Sequence, residues 1–227
     1  MKDSTRYLIF GLVFVLTLLG LGAWYTLQQN AKRPDVVLEV YGSEPQDSTA
    51  PDGSRHTVMR PHRVGDFTLT DQLGRPFARK QLEGKIYVAD FFFTTCQSIC
   101  IPMGRHMGEL VQKFKDDPQL LFVSHTVDPE TDSVAVLKAY ADKHQAPADK
   151  WYLLTGPKKT IYDLARYQYM VTAIQGDAGP DDFIHTQNFA LVDALGRIRG
   201  YYDGTRPEEM QKLEKDIVIL KQELAQN

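Results

Sequence analysis

The longest apolar run, Tyr7 to Leu27, is 21 residues with no charge among them. A helix rises 1.5 Å per residue, so such a run spans about 31 Å and matches a hydrocarbon core of roughly 30 Å. It is expected to be one membrane anchor, with Tyr7 at one headgroup level and Trp24 and Tyr25 at the other. The rival reading is a cleaved signal peptide with Gly20, Gly22 and Ala23 near the cut, but the run is long for one. Lys2, Arg6 and the free amino terminus face Lys32 and Arg33 across it, and the N-terminus is placed inside. A six-residue head leaves no room for an Arg- and Ser-rich transit peptide. The expected location is therefore a bacterial inner (cytoplasmic) membrane, crossed once, with the C-terminal domain on the extracytoplasmic, oxidising side.

Beyond the anchor (residues 1–29, counting the head), residues 30–63 hold Pro34, Pro45, Pro51 and Pro61 and little periodicity. They read as a tether with one short strand at Val36 to Tyr41. Residues 64–227 read as one domain. It opens on a small hairpin from Asp66 to Phe77 that turns at Gly74. Lys85 to Phe93 and Leu120 to Thr126 are buried strands. Between them Met103, Met107, Leu110, Val111 and Phe114 fall on one face of a helix. Helices follow at Thr131 to His144 and Lys158 to Tyr167, with a short strand at Trp151 to Leu154 between them. Gln187 to Val192 and Gly196 to Tyr202 form a hairpin. The last helix opens with Thr205 and Glu208 at capping-box spacing and carries Met210, Leu213, Ile217, Leu220 and Leu224. This order predicts an α/β fold: a mixed sheet with helices on both faces, in the thioredoxin-like arrangement.

Composition narrows the function. At 43% hydrophobic and 24% charged the chain is not disordered, and two cysteines in 227 residues exclude a disulfide-stapled mini-fold. Without its first 30 residues the chain carries 24 basic and 28 acidic side chains, net −4 with histidine neutral. Nucleic acid and anionic lipid are poor partners for such a surface.

Both cysteines stand at Cys96-Gln97-Ser98-Ile99-Cys100, after the first buried strand and at the start of the helix that contains Pro102. Four residues of helix would put their Cα atoms about 6 Å apart on one face, close enough for a disulfide or for two sulfurs on one metal ion. Helix N-terminal amides favour thiolate, and Pro102 suits a first turn. The bland alternative is burial, since the stripe of Met103, Met107 and Leu110 continues back through Cys100 and Cys96. The strand-to-helix junction, where this class of sheet presents reactive groups, favours a functional pair. A third metal ligand is sought among six histidines. His56 and His62 lie in the tether, His144 ends a helix, and His106 is turned off the Cys100 face. His125, at the end of a strand, and His185, in the loop entering the last hairpin, both stay open. Met103 and Met107 are soft donors whose helical spacing favours core packing.

The run from Phe91 to Met103 around the cysteines, Ser124-His125-Thr126-Val127-Asp128-Pro129-Glu130-Thr131-Asp132, and His185 ahead of a strand ending in Val192-Asp193-Ala194-Leu195-Gly196-Arg197 together resemble the SCO/SenC family. The likeness extends from about Val64 to the C-terminus, and the anchor and tether match as well. The resemblance implies a membrane-tethered, thioredoxin-like copper chaperone that helps build the CuA centre of cytochrome c oxidase. It implies copper, as Cu(I) and/or Cu(II), on Cys96, Cys100 and His185. The implied partners are the copper-bearing oxidase subunit, copper donor proteins and thiol reductant proteins. Two departures stand out: Gln97 where many members have Pro, and Ile184 where many have Asp, which bears on how the imidazole is oriented.

Two thiolates favour Cu(I), and a neutral imidazole completes a site able also to hold Cu(II). Oxidation of the pair to a disulfide would abolish that site, so redox state would gate loading. The tether would raise the effective concentration of the domain near a membrane-bound client. Whether the chain transfers copper or reduces client cysteines, with Cys96 and Cys100 as the redox pair, is left open. The further alternatives are a general extracytoplasmic thiol-disulfide oxidoreductase and, fitting the spacing poorly, a thiol peroxidase acting through Cys96.

Overall fold

In a computed structural model, residues 14–25, 37–50, 52, 54–172, 176, 178–179 and 182–225 are described. The chain divides into two units, Leu38–Lys221 and the chain ends, Met1–Val37 with Gln222–Asn227. The expected anchor at residues 7–27 falls on the second unit, partly outside the described residues. Its described portion is a helix over residues 14–25. Among the described residues no helix is long and apolar enough to cross a membrane.

Unit Leu38–Lys221 is built on a five-stranded mixed sheet. The strands are β5 (Ile86–Phe92), β6 (Leu120–Thr126), β7 (Trp151–Leu154), β8 (Asn188–Val192) and β9 (Ile198–Asp203), in the order β7-β6-β5-β8-β9. β5, β6 and β7 run parallel, while β8 pairs antiparallel with β5 and with β9. The parallel steps are bridged by α1 (Cys100–Lys113) and α2 (Val134–Lys143), as the apolar pattern predicts. All seven residues of β5 are buried, so the central strand carries no solvent face.

Strand alternation divides the core. Tyr87, Ala89, Phe91 and Val123 belong to a hydrophobic cluster with Ile161, Tyr162, Leu164 and Tyr169 on one face. The other face carries Asp90, Phe92 and Ser124: the Phe92 ring lies 5.0 Å from that of Tyr140 on α2, and the Trp151 indole donates to the Ser124 hydroxyl at 2.8 Å. Met103 and Met107 on α1 are fully buried, which settles them as packing residues.

Several elements differ from expectation for identifiable reasons. The third helix is α-helical only over α3 (Lys158–Asp163) and continues as a π turn, Leu164–Gln168. The Tyr169 amide donates to Leu164 O at 2.7 Å, a five-residue step that brings the Tyr169 ring into the core. The capping box expected from Thr205 and Glu208 does not form. The Thr205 hydroxyl donates to Asp203 at 2.6 Å, and α4 (Pro207–Leu224) opens on a proline, which needs no amide partner there. In the tether, residues 37–40 form no strand; Tyr41 makes a single bridge to Ile198, and Val36 lies outside the described residues. Instead β1 (Ser43–Thr49) and β2 (Arg55–Pro61) make an exposed hairpin. With both faces wet, its sequence has no apolar alternation to betray it.

The leading hairpin forms as β3 (Thr68–Thr70) and β4 (Pro76–Ala78), with Leu69 opposite Phe77. Its turn and the β8–β9 turn share one five-residue device. Asp71 Oδ1 accepts the amides of Leu73 and Arg75 while Oδ2 accepts Arg75 Nε; Asp193 treats Leu195 and Arg197 identically. Gly74 and Gly196 take φ of 75° and 79°, which a side chain would strain.

Candidate functional site

β5 ends at Phe92, and the chain turns through residues 93–99 before α1 begins at Cys100. Cys96 therefore precedes the helix and does not share its first turn, a correction to the expected pair on one helical face. The two are still apposed: the Cys100 amide donates to Cys96 Sγ at 3.4 Å, and Ser98 Oγ lies 3.7 Å from the same sulfur. Pro102 sits in the first turn of α1, as expected. Both thiols are free and mostly buried.

The loop is pinned from the segment that follows β6. Asp132, fully buried, accepts the Thr94 amide at 3.1 Å and also the Thr94 and Thr126 hydroxyls. This links the Asp128–Asp132 segment to the cysteine loop, a coupling that sequence spacing does not show.

The two sulfurs differ in character. Burial opposes ionisation of Cys96, but the Cys100 thiol, the Ser98 and Cys100 amides and the Ser98 hydroxyl outweigh it and hold its pKa below the usual thiol value. Burial, then the neighbouring Cys96 side chain, push Cys100 up to about 12. Beneath them Asp90 is buried and raised to about 7 by desolvation, against the opposing hydrogen bond from Ser124. A carboxylate inside an otherwise apolar strand is the signal that would have singled it out.

The cysteines line a cavity of about 260 Å³ together with Phe93, Ile101, Tyr140 and His144. Gly104 lets two of the lining residues approach α1 closely: a Cβ there would overlap the Tyr140 hydroxyl and press on His144. The His144 ring packs on Tyr140 at a tilt of 35°, with centroids 4.4 Å apart, and burial lowers its pKa.

The histidines separate clearly. His125 is fully buried on the opposite face of the sheet, stacked on Phe91 at 4.8 Å, with Nε2 unpartnered and its pKa lowered to about 4 by desolvation. It is a core residue, which removes it as a candidate ligand. His106 Nδ1 meets Gly204 O at 2.8 Å, and His62 is buried against Glu44 and Gln168. His185 is exposed between buried Ile184 and Thr186. Its ring lies 4.8 Å from Phe183 and 6.0 Å from Phe93. Phe93 also lines the cysteine cavity, so one aromatic ring borders both Cys96 and His185. Ile184 beside it lies in the core cluster, and the contacts described for this imidazole are aromatic. Among the described residues no three His, Cys, Asp or Glu side chains are gathered closely enough to hold a metal ion. The structure thus brings Cys96 and Cys100 together and leaves His185 one ring away.

Comparison with known proteins supplies the frame. The SCO1/SenC family model matches residues 56–218. The SCO1 protein homolog of Bacillus subtilis (strain 168) is 30% identical over 157 residues, covering 69% of this chain and 81% of that protein. BsSco, a member of the Sco family of cytochrome c oxidase assembly proteins in which a disulfide switch was identified, superposes with a TM-score of 0.59 at 31% identity, over 70% of this chain and 93% of its own. ScoI of Bradyrhizobium japonicum, solved with copper bound, superposes with a TM-score of 0.54 at 27% identity, over 67% of this chain and 98% of its own. The family match spans well over half of the chain and contains the cysteine loop, the Asp132 clamp and His185, and the fold agrees with it: the chain belongs to the SCO1/SenC family.

Proposed function

We propose that this chain is a copper-binding thiol protein of cytochrome c oxidase assembly. It delivers copper to the CuA site of the oxidase, reduces the cysteines of that site, or does both. The observation that carries the reading is the apposed, unbridged pair Cys96 and Cys100, one sulfur biased toward thiolate, on a fold whose relatives include a copper-bound structure. Two soft thiolates and an imidazole suit copper, and His185 is the histidine whose ring borders the same Phe93 as the cysteine cavity. Cys96, Cys100 and His185 are the proposed ligands, and copper is the cargo they pass on by ligand exchange.

The reductase reading uses the same sulfurs. The Cys96 thiolate attacks a client disulfide, forming a mixed disulfide and releasing one client thiolate. Cys100 then loses its proton and attacks Cys96 Sγ, which closes the Cys96–Cys100 disulfide and releases the second client thiolate. Two electrons pass to the client, whose thiolates take up the protons.

The domain is proposed to act outside a bacterial cytoplasmic membrane, held there by residues 7–27. The uncharged run supports this, as do the exposed Phe14, Leu16, Leu19 and Trp24 of its described helix. The His185→Ala variant separates the two activities. Copper affinity should fall about tenfold or more while disulfide exchange continues. Full copper binding by that variant would remove His185 from the ligand set.

A further inference from the structure

The cavity beside the cysteines departs in charge from the chain around it. The whole chain is net −3, yet among the described residues the charged ones that line this cavity are Arg105 and Lys143, with no carboxylate. Arg105 stands on α1, five residues after Cys100, and Lys143 ends α2 on the facing wall. Neither cation is neutralised by a strong local pair. Arg105 lies 3.9 Å from Glu109, both well exposed, a geometry worth little in water. Lys143 has no acidic partner among the described residues, since neighbouring Asp142 is engaged by Lys138. Asp132, which bonds the loop, is buried and committed to Thr94 and Thr126. The floor is apolar, with Phe93 and Tyr140, and Ile101 stands 59% exposed beside it. A reactive sulfur, an apolar floor and two uncompensated cations form a recognition surface of defined sign.

We propose that this groove docks an extended client segment that carries an acidic side chain within a few residues of its own cysteine. The acid meets Arg105 and Lys143, and the client sulfur meets Cys96. The proposal rests on the thiol chemistry of the preceding section and adds to it the charge of the client. Cations at a rim act mainly on encounter and on choice of partner, and their effect is screened by salt.

The test uses the reduced full chain in nonionic detergent and two symmetric peptide disulfides of equal length. One has Glu two residues either side of its cysteine, the other Gln. Each exchange rate is divided by that peptide's rate with 2-mercaptoethanol, which removes intrinsic reactivity. At low ionic strength the acidic peptide should be preferred by about three- to tenfold, and the preference should shrink toward one in about 0.5 M salt. The Arg105→Gln, Lys143→Gln double variant should abolish it. The Lys85→Gln, Lys115→Gln pair, equal in charge change and placed at the far end of the sheet, should retain it. A wild-type ratio of one, a ratio that survives the groove variant, or an equal loss in the remote pair overturns the groove while leaving thiol exchange intact. Failure of both peptides to react overturns the thiol reading and the groove with it.

Discussion

Cys96 and Cys100 are chemically alike and four positions apart, yet their surroundings give them opposite tendencies. Cys96 is held below the usual thiol value and Cys100 is pushed up to about 12. Iodoacetamide at neutral pH should therefore label Cys96 at least tenfold faster than Cys100. Mass spectrometry of the singly labelled chain checks this, and equal labelling would contradict it. The buried acid and base beneath make a second prediction at this scale. Between about pH 4 and 6.5 the unfolded chain protonates His125 while the folded chain does not, so stability rises with pH there. Asp90 works the other way: from about pH 4 to 7 the folded chain keeps a proton that the unfolded chain has released, so stability falls as pH rises. Each contribution is on the order of 3–4 kcal/mol and they largely cancel in the wild type. His125→Phe should expose the falling slope and Asp90→Asn the rising one, read as urea midpoints from pH 4 to 8. Flat profiles in both variants would contradict the assignment. Sequence spacing alone was enough to mark the cysteines. It left His125 open, although strand parity decides the matter: His125 pairs with Phe91, and the face toward α1 belongs to Asp90 and Ser124.

The sheet and its helices were legible because their apolar periods are strong, 3.6 in α1 and continuous in β5. The β1–β2 hairpin was not, because a strand exposed on both faces has no period to read. The π turn after α3 was hidden for another reason: the pull of Tyr169 into the core is a tertiary effect. The two Asp-x-Leu-Gly-Arg turns lay in plain view in the sequence, but their shared hydrogen bonds are a property of the fold. They are not equal in energy. Asp193 is also bonded to Arg199, whose side chain is 2% exposed, whereas the Arg75 partner of Asp71 is 55% exposed. Asp193→Ala should cost about 3–5 kcal/mol, as expected when a buried charge loses its partner. Asp71→Ala should cost about 1–3 kcal/mol, chiefly in lost turn hydrogen bonds. Chemical denaturation of both variants tests the order, and a reversal would show that Arg199 is carried by its contacts with Leu38 O and Glu39 O.

Across the whole molecule, the proposed site draws on three distant stretches of chain: the cysteine loop, the Asp128–Asp132 segment that clamps it, and the His185 loop. The first was readable from its own residues. The clamp was not readable, because nothing local in the sequence says that Asp132 reaches Thr94; His185 was an open candidate from its loop, and the family resemblance singled it out. The cation-lined groove was not readable at all, since Arg105 and Lys143 belong to different helices and meet only across the folded cavity. All of these parts converge on one claim, that the reduced Cys96–Cys100 pair carries copper and the oxidised pair does not. The decisive measurement is copper retained per chain after desalting, on the reduced and on the oxidised 227-residue chain. About one copper per reduced chain is expected, and almost none per oxidised chain or per Cys96→Ser, Cys100→Ser chain. Copper retained equally by the oxidised or cysteine-free protein would contradict it.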